Sequence, residues 1–421
     1  MKIEEDFLHF IWQNRLFSNQ NLFADNQKVE ILQTGFLNTY SGPDFSLSKI
    51  KIGDTLWAGN VEIHVKASDW FKHNHQKDEA YKNVILHVVY ENDIESEELP
   101  PCLELKGHIS DEIIKNYQSI KNEKGWLPCA KLFHLSNTTK NNIWFERLLI
   151  ERIERKTEEI LSLFQKSNQD LEQTMFVFMA KSLGLKANSF PFEILSLQTP
   201  IKILLKYGND SAIVEAILLG QAGFLNTPKD EYSIELKNNY EFYKQKHNLE
   251  SLSNKIWKTG GVRPYNQPKL KIVQLAQLVI NLFPFSDKVL NQNFIELKKL
   301  FAIKTSSYWD NHYSIGKESS VKQKKLGESA INSIIINTIV PYYFFIAKHR
   351  DKQVLKEKAL SFLENIPPEK NSIISNWKEF NVELKSAWNT QSLIEQKNNY
   401  CNKLLCLKCG IGNQIIKSAT K

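Results

Sequence analysis

The sequence predicts an α+β protein in which an N-terminal α/β domain, residues 1–125, precedes a larger all-α domain, residues 126–421. Two patterns support this prediction. Alternating or continuous apolar runs typical of strands occur before residue 108, whereas apolar residues at helical spacing dominate after residue 125. The chain has 421 residues, which is too long for one compact core, so two domains are expected.

The composition is that of an ordinary globular protein, with 42% hydrophobic and 24% charged residues. The longest apolar run, 331–347, is interrupted by polar residues and a proline, and the acidic start of the chain does not resemble a secretion signal. We therefore expect a cytoplasmic protein with no membrane association. The net charge of +7 favours nucleic acid as a partner, and the sequence points to no particular protein partner.

The N-terminal domain is predicted to begin with an amphipathic helix over 4–14, whose apolar residues form one broad face. A first strand follows over 28–32. Gly42-Pro43 is a turn signal, and Gly53-Asp54 is expected to join two strands as a hairpin. The strands expected after residue 42 cover 45–52, 55–66, 84–90 and 102–106, and a short helix is expected over 111–120.

The C-terminal domain is predicted to consist of successive helices. A long charged helix over 142–164 has apolar residues at helical spacing and allows pairs of opposite charge four residues apart. Ser307–Tyr313, between later helices, is an aromatic-rich segment that we expect to be a loop. The further helices are expected over 171–183, 192–197, 200–206, 212–219, 231–246, 270–282, 293–300 and 326–345.

The strand over 55–66 carries the candidate active site. Successive side chains of a strand point to opposite faces, so Glu62, His64 and Lys66 share one face, opposite the apolar residues between them. If the preceding strand brings Asp44 beside Glu62, two carboxylates converge with a basic group. The carboxylates would hold Mg²⁺ or Mn²⁺ for phosphodiester hydrolysis, and His64 or Lys66 would orient a water or stabilise developing charge.

This pattern, Pro43-Asp44 followed by Glu62-x-His64, resembles the active-site core of the PD-(D/E)XK nuclease superfamily. The resemblance implies a restriction-endonuclease-like mixed sheet and metal-dependent cleavage of DNA or RNA. It also implies a further acidic metal ligand from the first helix, for which Glu5 is the candidate. The sequence departs from the superfamily at the usual lysine position, which His64 occupies, and Lys66 follows two residues later.

Longer motifs occur over nearly the whole chain. They are Glu5-Asp-Phe-Leu-His-Phe-Ile-Trp12, Ser41-Gly-Pro-Asp-Phe45, Trp57-Ala-Gly-Asn-Val-Glu-Ile-His64, Ser68-Asp-Trp70, Leu86-His-Val-Val-Tyr90 and Gly220-Gln-Ala-Gly-Phe224. Through these motifs and its terminal cysteines, the chain resembles a bacterial family catalogued as domain-of-unknown-function family 2851. That resemblance supplies no chemistry, so the functional inference depends on the residues themselves.

Histidines offer a rival metal site, because six of the ten histidines lie in the first 108 residues. His73 and His75, two residues apart on an expected extended segment, would present both rings to one side. His64 and His87 would complete a site for Zn²⁺ or Mn²⁺. In the alternative interpretation, His73 and His75 lie on a solvated loop and His87 is a hydrogen-bonded core residue.

Three cysteines near the C-terminus form the pattern Cys401-x4-Cys406-x2-Cys409. In a reducing compartment such clustering indicates a metal rather than disulfides, and Cys129 is the candidate fourth ligand, ahead of Cys102 or a histidine. Zinc and a [4Fe–4S] cluster both fit. The nuclease resemblance favours the cluster, because some of those nucleases hold one with one early and three late cysteines. The alternative is three free thiols in a terminal helix.

Three functions follow from these patterns. The first is a metal-dependent nuclease whose helical domain binds or steers nucleic acid. The second is a non-catalytic module that binds nucleic acid or protein and retains a degenerate site. The third is a histidine-site metallohydrolase with another class of substrate. Close approach of Asp44 to Glu62 would favour the first function, and close approach of His73 and His75 to His64 or His87 would favour the third.

Overall fold

The computed structural model of the protein describes residues 3–418. It is an α+β structure, with an N-terminal region that contains a mixed sheet and a larger helical region after it, as the sequence predicts. The described residues divide into two compact units. Met1–Glu146, Ser375–Val382 and Leu393–Lys421 supply the first unit, and Arg147–Ile374 and Glu383–Ser392 supply the second.

This division differs from the predicted domains, 1–125 and 126–421, whose ends also include residues outside the described range. The first unit is discontinuous because the C-terminal segment packs against its N-terminal helices. The side-chain amide of Asn116, for example, donates to the backbone carbonyl of Ile415 at 3.1 Å. Such a return of the chain depends on contacts between residues hundreds of positions apart, which no local pattern reveals.

The elements of the first 125 residues follow the predicted order. They are α1 (Glu5–Gln13), β1 (Phe23–Ala24), β2 (Gln27–Gln33), β3 (Phe36–Leu37), β4 (Phe45–Ile52), β5 (Thr55–Lys66), α2 (Asp69–Lys72), β6 (Val84–Glu91), β7 (Cys102–Glu104) and α3 (Asp111–Asn122). Short 3₁₀ turns cover His75–Lys77, Glu79–Tyr81 and Ala130–Leu135.

The seven strands β1 to β7 form one mixed sheet in the order β2-β1-β7-β6-β5-β4-β3, and β2 also pairs with β4. β4 runs antiparallel to β2 and β5, whereas β6 runs parallel to β5 and β7 runs parallel to β6. The predicted two-residue turn at Gly53-Asp54 joins β4 to β5, and Gly53 has a φ of +57° that suits glycine. β5 therefore lies inside the sheet, between β4 and β6.

The part of β5 from Val61 to His64 is buried on both faces, which differs from the polar outer face that its alternation suggests. Val61 and Ile63 are buried on one face, and Glu62 and His64 are buried on the other, with exposures of only 5% and 1%. Two ionisable side chains inside a sheet need partners close by, because burying them unpaired is unfavourable. The groups that surround Glu62 and His64 therefore decide what this part of the sheet can do.

The remaining elements are mainly helical. They are α4 (Thr138–Lys166), α5 (Leu171–Leu183), α6 (Leu185–Gln198), α7 (Ile201–Lys206), α8 (Ser211–Gln221), α9 (Glu231–His247), α10 (Pro268–Leu282), α11 (Phe285–Lys288), α12 (Phe294–Leu300), α13 (Glu328–Ile334), α14 (Val340–His349), α15 (Val354–Asn365), α16 (Ser372–Trp377), α17 (Ala387–Glu395) and α18 (Gly410–Lys417). The expected loop at 307–313 is a 3₁₀ turn that leads into a small hairpin, β8 (His312–Ser314) and β9 (Lys317–Glu318), so this region is not purely helical.

Within residues 3–418, one helical segment, Glu328–His349, is long and apolar enough to cross a membrane by length and composition. It consists of α13, a π-helical turn and α14. In its most apolar window 83% of the residues are buried inside the protein, and they pack in the main apolar core of the second unit. The segment is the core helix of that unit.

Candidate metal centre

Asp44 and Glu62 are held side by side where β4 begins and β5 passes. The backbone N–H of Asp44 donates to Oε2 of Glu62 at 3.0 Å, and the backbone N–H of Ile63 donates to Oδ2 of Asp44 at 3.0 Å. This reciprocal pair of hydrogen bonds follows from the antiparallel register, in which Phe45 lies opposite Val61. Backbone groups therefore fix the orientation of both acids.

Two histidines flank the other oxygen of Glu62, and a third lies beside them. The ligand nitrogens of His64, His73 and His75 all lie within 4.8 Å of one another, and the described part of the chain has no other set of three potential metal ligands that is as close. Nε2 of His64 lies 3.1 Å from Nδ1 of His73. Oε1 of Glu62 lies 3.3 Å from Nε2 of His75 and 3.6 Å from Nε2 of His64. Three nitrogens and one oxygen therefore cluster in one place.

A tight turn, and not the predicted extended segment, brings His73 and His75 together. His73 ends α2, and Asn74 follows with a left-handed φ of +61° before His75 begins a 3₁₀ turn. Asparagine tolerates this conformation better than most residues. The two imidazole rings consequently approach with centroids 5.4 Å apart. His64 is buried and His73 is exposed, so the cluster is open to solvent on one side.

Two aromatic side chains pack against the ring of His75, and Nε2 of this ring has no hydrogen-bond partner. Tyr81 stacks on its ring with centroids 3.8 Å apart, and Trp70 contacts it edge-on at 5.3 Å. Nε2 of His75 is buried and has no hydrogen-bond partner, although it faces Glu62. Buried polar atoms without a partner are uncommon in native proteins, and a bound cation would satisfy this one.

His87 contacts the ring nitrogen of His64 that faces away from His73. It lies opposite Glu62 on the parallel strand β6, and its Nε2 is 2.9 Å from Nδ1 of His64. If Nε2 of His64 binds a metal, Nδ1 carries the proton and donates it to His87 in a hydrogen bond. Burial, followed by the nearby His75, lowers the pKa of His87 to about 4, so it is an uncharged acceptor at neutral pH.

The electrostatics of the cluster favour a cation. Burial and the charge of Asp44 raise the pKa of Glu62 to about 8. Burial and the neighbouring histidines lower the pKa of His64 to about 2, and burial also lowers the pKa of His75. At neutral pH Glu62 therefore holds a proton, and His64 and His75 are uncharged. Uncharged imidazole is the form that binds metals, and a cation would displace the proton of Glu62.

Helix α1 contributes two further groups on the Asp44 side. Nε2 of His9 lies 3.0 Å from Oδ2 of Asp44. Burial lowers the pKa of His9, but the hydrogen bond and the charge of Asp44 outweigh it and leave that pKa above its ordinary value. Glu5 is near enough for the charges of His73, Asp44 and His9 to act on its carboxyl group, whose pKa is raised chiefly by burial. His9 was not among the predicted site residues, although Glu5 and His9 share a helix face at a spacing of four residues.

Lys66 lies apart from the cluster. Its side chain is 47% exposed, and its Nζ is 3.8 Å from Oδ2 of Asp93. His64 therefore provides the nitrogen nearest to Glu62 on this strand. The alternation of β5 places Lys66 on the same face as Glu62, but the strand leaves the buried region before reaching it.

The predicted cysteine site lies in the same compact unit. Cys129, Cys401 and Cys409 are buried and Cys406 is partly buried. Burial raises the pKa of Cys129, and the three C-terminal cysteines are near enough for their charges to raise it further. Cys102 is on β7, where burial and acidic residues raise its pKa.

Comparisons with known proteins give one match. The sequence profile of a family described as Protein of unknown function (DUF2851) matches residues 5–372. This range includes Asp44, Glu62 and all the histidines of the candidate centre, and it ends before Cys401. No curated protein and no solved structure matches the chain significantly.

Proposed function

The chain belongs to the DUF2851 family, and we propose that it is a metal-dependent hydrolase that cleaves phosphodiester bonds in nucleic acid. The metal would be held by His64, His73 and His75 together with Glu62. The observation that supports this proposal most is the clustering of three imidazole nitrogens within 4.8 Å, with a carboxylate oxygen 3.3–3.6 Å from two of them.

The ligand set favours a transition metal over magnesium. Mg²⁺ prefers oxygen ligands in octahedral geometry, whereas imidazole suits Zn²⁺ and Mn²⁺ among other transition metals. Catalytic zinc sites use three protein ligands, such as three histidines or two histidines and a glutamate, and keep a further position open to water or substrate. Mn²⁺ and Zn²⁺ are therefore the proposed cofactors at this site, and the Mg²⁺ that the carboxylate pattern suggests becomes the weaker candidate.

The residues around the centre fit such a cation. His87 would fix the tautomer of His64, and the buried Nε2 of His75 would gain the partner that it lacks. The exposed side chain of His73 leaves an approach from solvent. A metal ion bound here would polarise a substrate oxygen and lower the pKa of a water.

His9 and Asp44 are the proposed acid–base pair. The carboxylate of Asp44 accepts from the backbone at Ile63 and contacts Nε2 of His9, so it holds the imidazole in one orientation. The raised pKa of His9 favours its protonated form, in which Nε2–H faces Asp44. Nδ1, the ring nitrogen that does not contact Asp44, would deliver its proton to a leaving oxygen, and Asp44 would stabilise the charged imidazole.

The arrangement of the sheet supports nucleic acid as the substrate. A first helix, three antiparallel strands and a parallel fourth strand, with an acid before the second strand and another on the third, agree with the PD-(D/E)XK resemblance. Exposed Phe36, Leu37 and Tyr40 lie beside Asp44, because Leu37 pairs with Phe45 and the next residue bonds to the carbonyl of Asp44. Exposed aromatic rings can stack on bases, and the net charge of +7 attracts a polyanion.

A cleavage assay tests the proposal. Full-length protein, stripped of metal and reloaded with Mn²⁺, Zn²⁺ or Mg²⁺, is incubated with single-stranded DNA, duplex DNA, RNA and a carboxylic ester. We expect Mn²⁺ or Zn²⁺ to support nucleic-acid cleavage, His75→Ala to abolish it and the exposed His134→Ala, outside the cluster, to retain it.

Two results would contradict parts of the proposal. Metal-dependent cleavage of the ester without cleavage of nucleic acid would replace the proposed substrate class and favour the other histidine-site metallohydrolase. Binding of nucleic acid with no metal uptake and no cleavage in any arm would reject the catalytic proposal and favour a binding module.

A further inference from the structure

Four of the five cysteines converge from three segments of the first unit. Cys129 precedes the 3₁₀ turn Ala130–Leu135, Cys401 ends the π-helical turn Gln396–Cys401, and Cys406 and Cys409 flank a further 3₁₀ turn. The side-chain amide of Gln396 links two of them, because its Nε2 lies 3.2 Å from Sγ of Cys401 and 3.3 Å from Sγ of Cys409. Two of the four sulfurs thus contact one polar side chain, which is itself buried.

The N-terminus of α18 begins at one of these sulfurs, because Cys409 is its N-cap residue. Burial raises the pKa of Cys409, and the backbone N–H groups of Gly412 and Ile411 partly offset this effect. The positive end of the helix dipole adds to their effect. Hydrogen bonds from N–H groups stabilise a thiolate far more than a thiol, since a thiol sulfur is a weak acceptor. In the metal-free protein burial keeps Cys409 as a thiol, and the side-chain amide of Gln396 would donate to the thiolate that a bound metal creates.

The backbone around the cysteines is closely packed, and glycine is required there. A Cβ atom at Gly412 would lie 2.3 Å from the carbonyl oxygen of Cys406, and a Cβ atom at Gly410 would lie 2.6 Å from the indole of Trp144. These glycines allow α18 to begin directly against the turn that carries Cys406 and Cys409. The sequence Cys406-Leu-Lys-Cys-Gly-Ile-Gly412 thus builds a compact loop with two sulfurs at its ends.

We propose that Cys129, Cys401, Cys406 and Cys409 bind a metal centre through four thiolates. The centre would be structural and separate from the histidine centre, since its cysteines are largely buried. It would fix the C-terminal segment of the first unit to the segment that contains Cys129. Metal binding would displace the thiol protons, which burial otherwise holds on Cys401 and Cys406 up to a pKa of about 12.

Zinc and an iron–sulfur cluster share this ligand chemistry but need different distances between the four sulfurs. A single tetrahedral zinc with Zn–S bonds of ~2.3 Å needs sulfurs about 3.8 Å apart. The four sulfurs are spread more widely than the close-set histidine nitrogens, the one set of three ligands within 4.8 Å among the described residues. In a [4Fe–4S] cluster each thiolate binds a separate iron, so a wider spread is accommodated directly. Binding of a single zinc would therefore require the sulfurs to move closer together.

The experiment uses full-length protein that carries His73→Ala and His75→Ala, so that metal in the histidine centre does not contribute. After anaerobic purification, iron, acid-labile sulfide and zinc are measured per chain. We expect about one zinc, or iron and sulfide in equal amounts with broad visible absorption, per chain. Cys406→Ser in the same background should lose this metal, whereas the control Cys102→Ser should keep it.

A second measurement protects the test against misfolding of the variants. X-ray absorption at the metal edge of the double histidine variant, with every cysteine intact, should show sulfur as the main scatterer around the iron or zinc. Absence of bound metal from the double histidine variant, or a metal surrounded only by nitrogen and oxygen, would overturn the proposal. Failure of the histidine centre would leave this result unchanged, so the two proposals are tested separately.

Discussion

The histidine cluster on β5 and the cysteine cluster at α18 belong to the same compact unit but differ in exposure and in chemistry. The first combines nitrogen and oxygen ligands with an exposed member, His73, and a partly exposed acid, Asp44. The second consists of sulfur ligands, three of them buried. Metal sites that are closed to solvent generally serve structure, whereas sites with an open position serve catalysis. We therefore expect the cysteine cluster to contribute to the stability of the fold and the histidine cluster to contribute to catalysis.

The largest expected effect concerns the cysteine cluster and stability. Cys409→Ser removes a buried ligand, and because metal binding by buried thiolates contributes several kcal/mol to folding, we expect the melting temperature to fall by on the order of 10 °C. Differential scanning fluorimetry of the metal-loaded protein measures this change. Cys102→Ser is the control, and an equal fall in both variants would show that Cys409 contributes only packing.

The next effect concerns the histidine cluster and activity. His73→Ala removes an exposed ligand, so we expect cleavage of nucleic acid to fall by on the order of 100-fold or more, while the melting temperature of the metal-free protein changes little. Steady-state kinetics and a thermal melt of the same preparation measure both quantities. A large loss of stability with no loss of activity would reverse the roles of the two clusters.

A smaller effect is expected behind the cluster, at His87. His87→Gln keeps a hydrogen-bonding side chain but changes the group that orients His64, so metal affinity should fall roughly 10–100-fold. Titration of metal-free protein with Mn²⁺ or Zn²⁺ measures the affinity. An unchanged dissociation constant would mean that the contact between His64 and His87 is only a core hydrogen bond.

The pH dependence of metal binding sharpens the comparison further. Glu62 must lose a proton to bind a cation, and its pKa in the metal-free protein is about 8. Affinity should therefore rise about tenfold per pH unit as the pH increases toward 8 and level off above it. Glu62→Gln should remove this part of the slope in isothermal titration, and a slope that persists would place the proton elsewhere.

The same shift changes the stability of the metal-free protein. Between pH 4.5, the ordinary pKa of the carboxyl group, and about 8, the folded state keeps a proton on Glu62 that the unfolded state has lost. The free energy of unfolding should consequently fall as the pH rises through this range. Glu62→Gln should flatten the decline in urea denaturation, and a decline equal to that of the wild type would contradict the assignment.

The smallest expected effect is at Lys66. Its contact with Asp93 is an exposed ion pair at 3.8 Å, so Lys66→Ala should cost about 0–1 kcal/mol of stability and leave the cleavage rate within a few-fold of the wild type. A loss approaching that of His73→Ala would restore Lys66 as a residue of the reaction.

Local patterns predicted the strands well and their surroundings poorly. β4 and β5 have the predicted limits because alternation and a two-residue turn act over neighbouring residues. The burial of Glu62 and His64 could not be inferred in this way, since it depends on what covers the second face of the sheet. The small hairpin at 312–318 was missed because its strands are only two or three residues long.

The composition of the candidate site was partly predictable. The density of histidines predicted that His64, His73 and His75 lie close together. The predicted extended segment was wrong, because Asn74 adopts a left-handed conformation and forms a turn between His73 and His75. His9 was missed since it approaches Asp44 from another element. The nearness of Cys129 to the terminal cysteines was proposed from spacing and ligand count, and only the folded chain reveals the glycines and N–H groups around Cys409.

The discontinuous first unit has a consequence for synthesis on the ribosome. Its sheet is translated first, but its final segment, from Leu393 onward, is translated last, after every residue of the second unit. The second unit can therefore complete its packing before the first unit does, although synthesis of the first unit begins earlier.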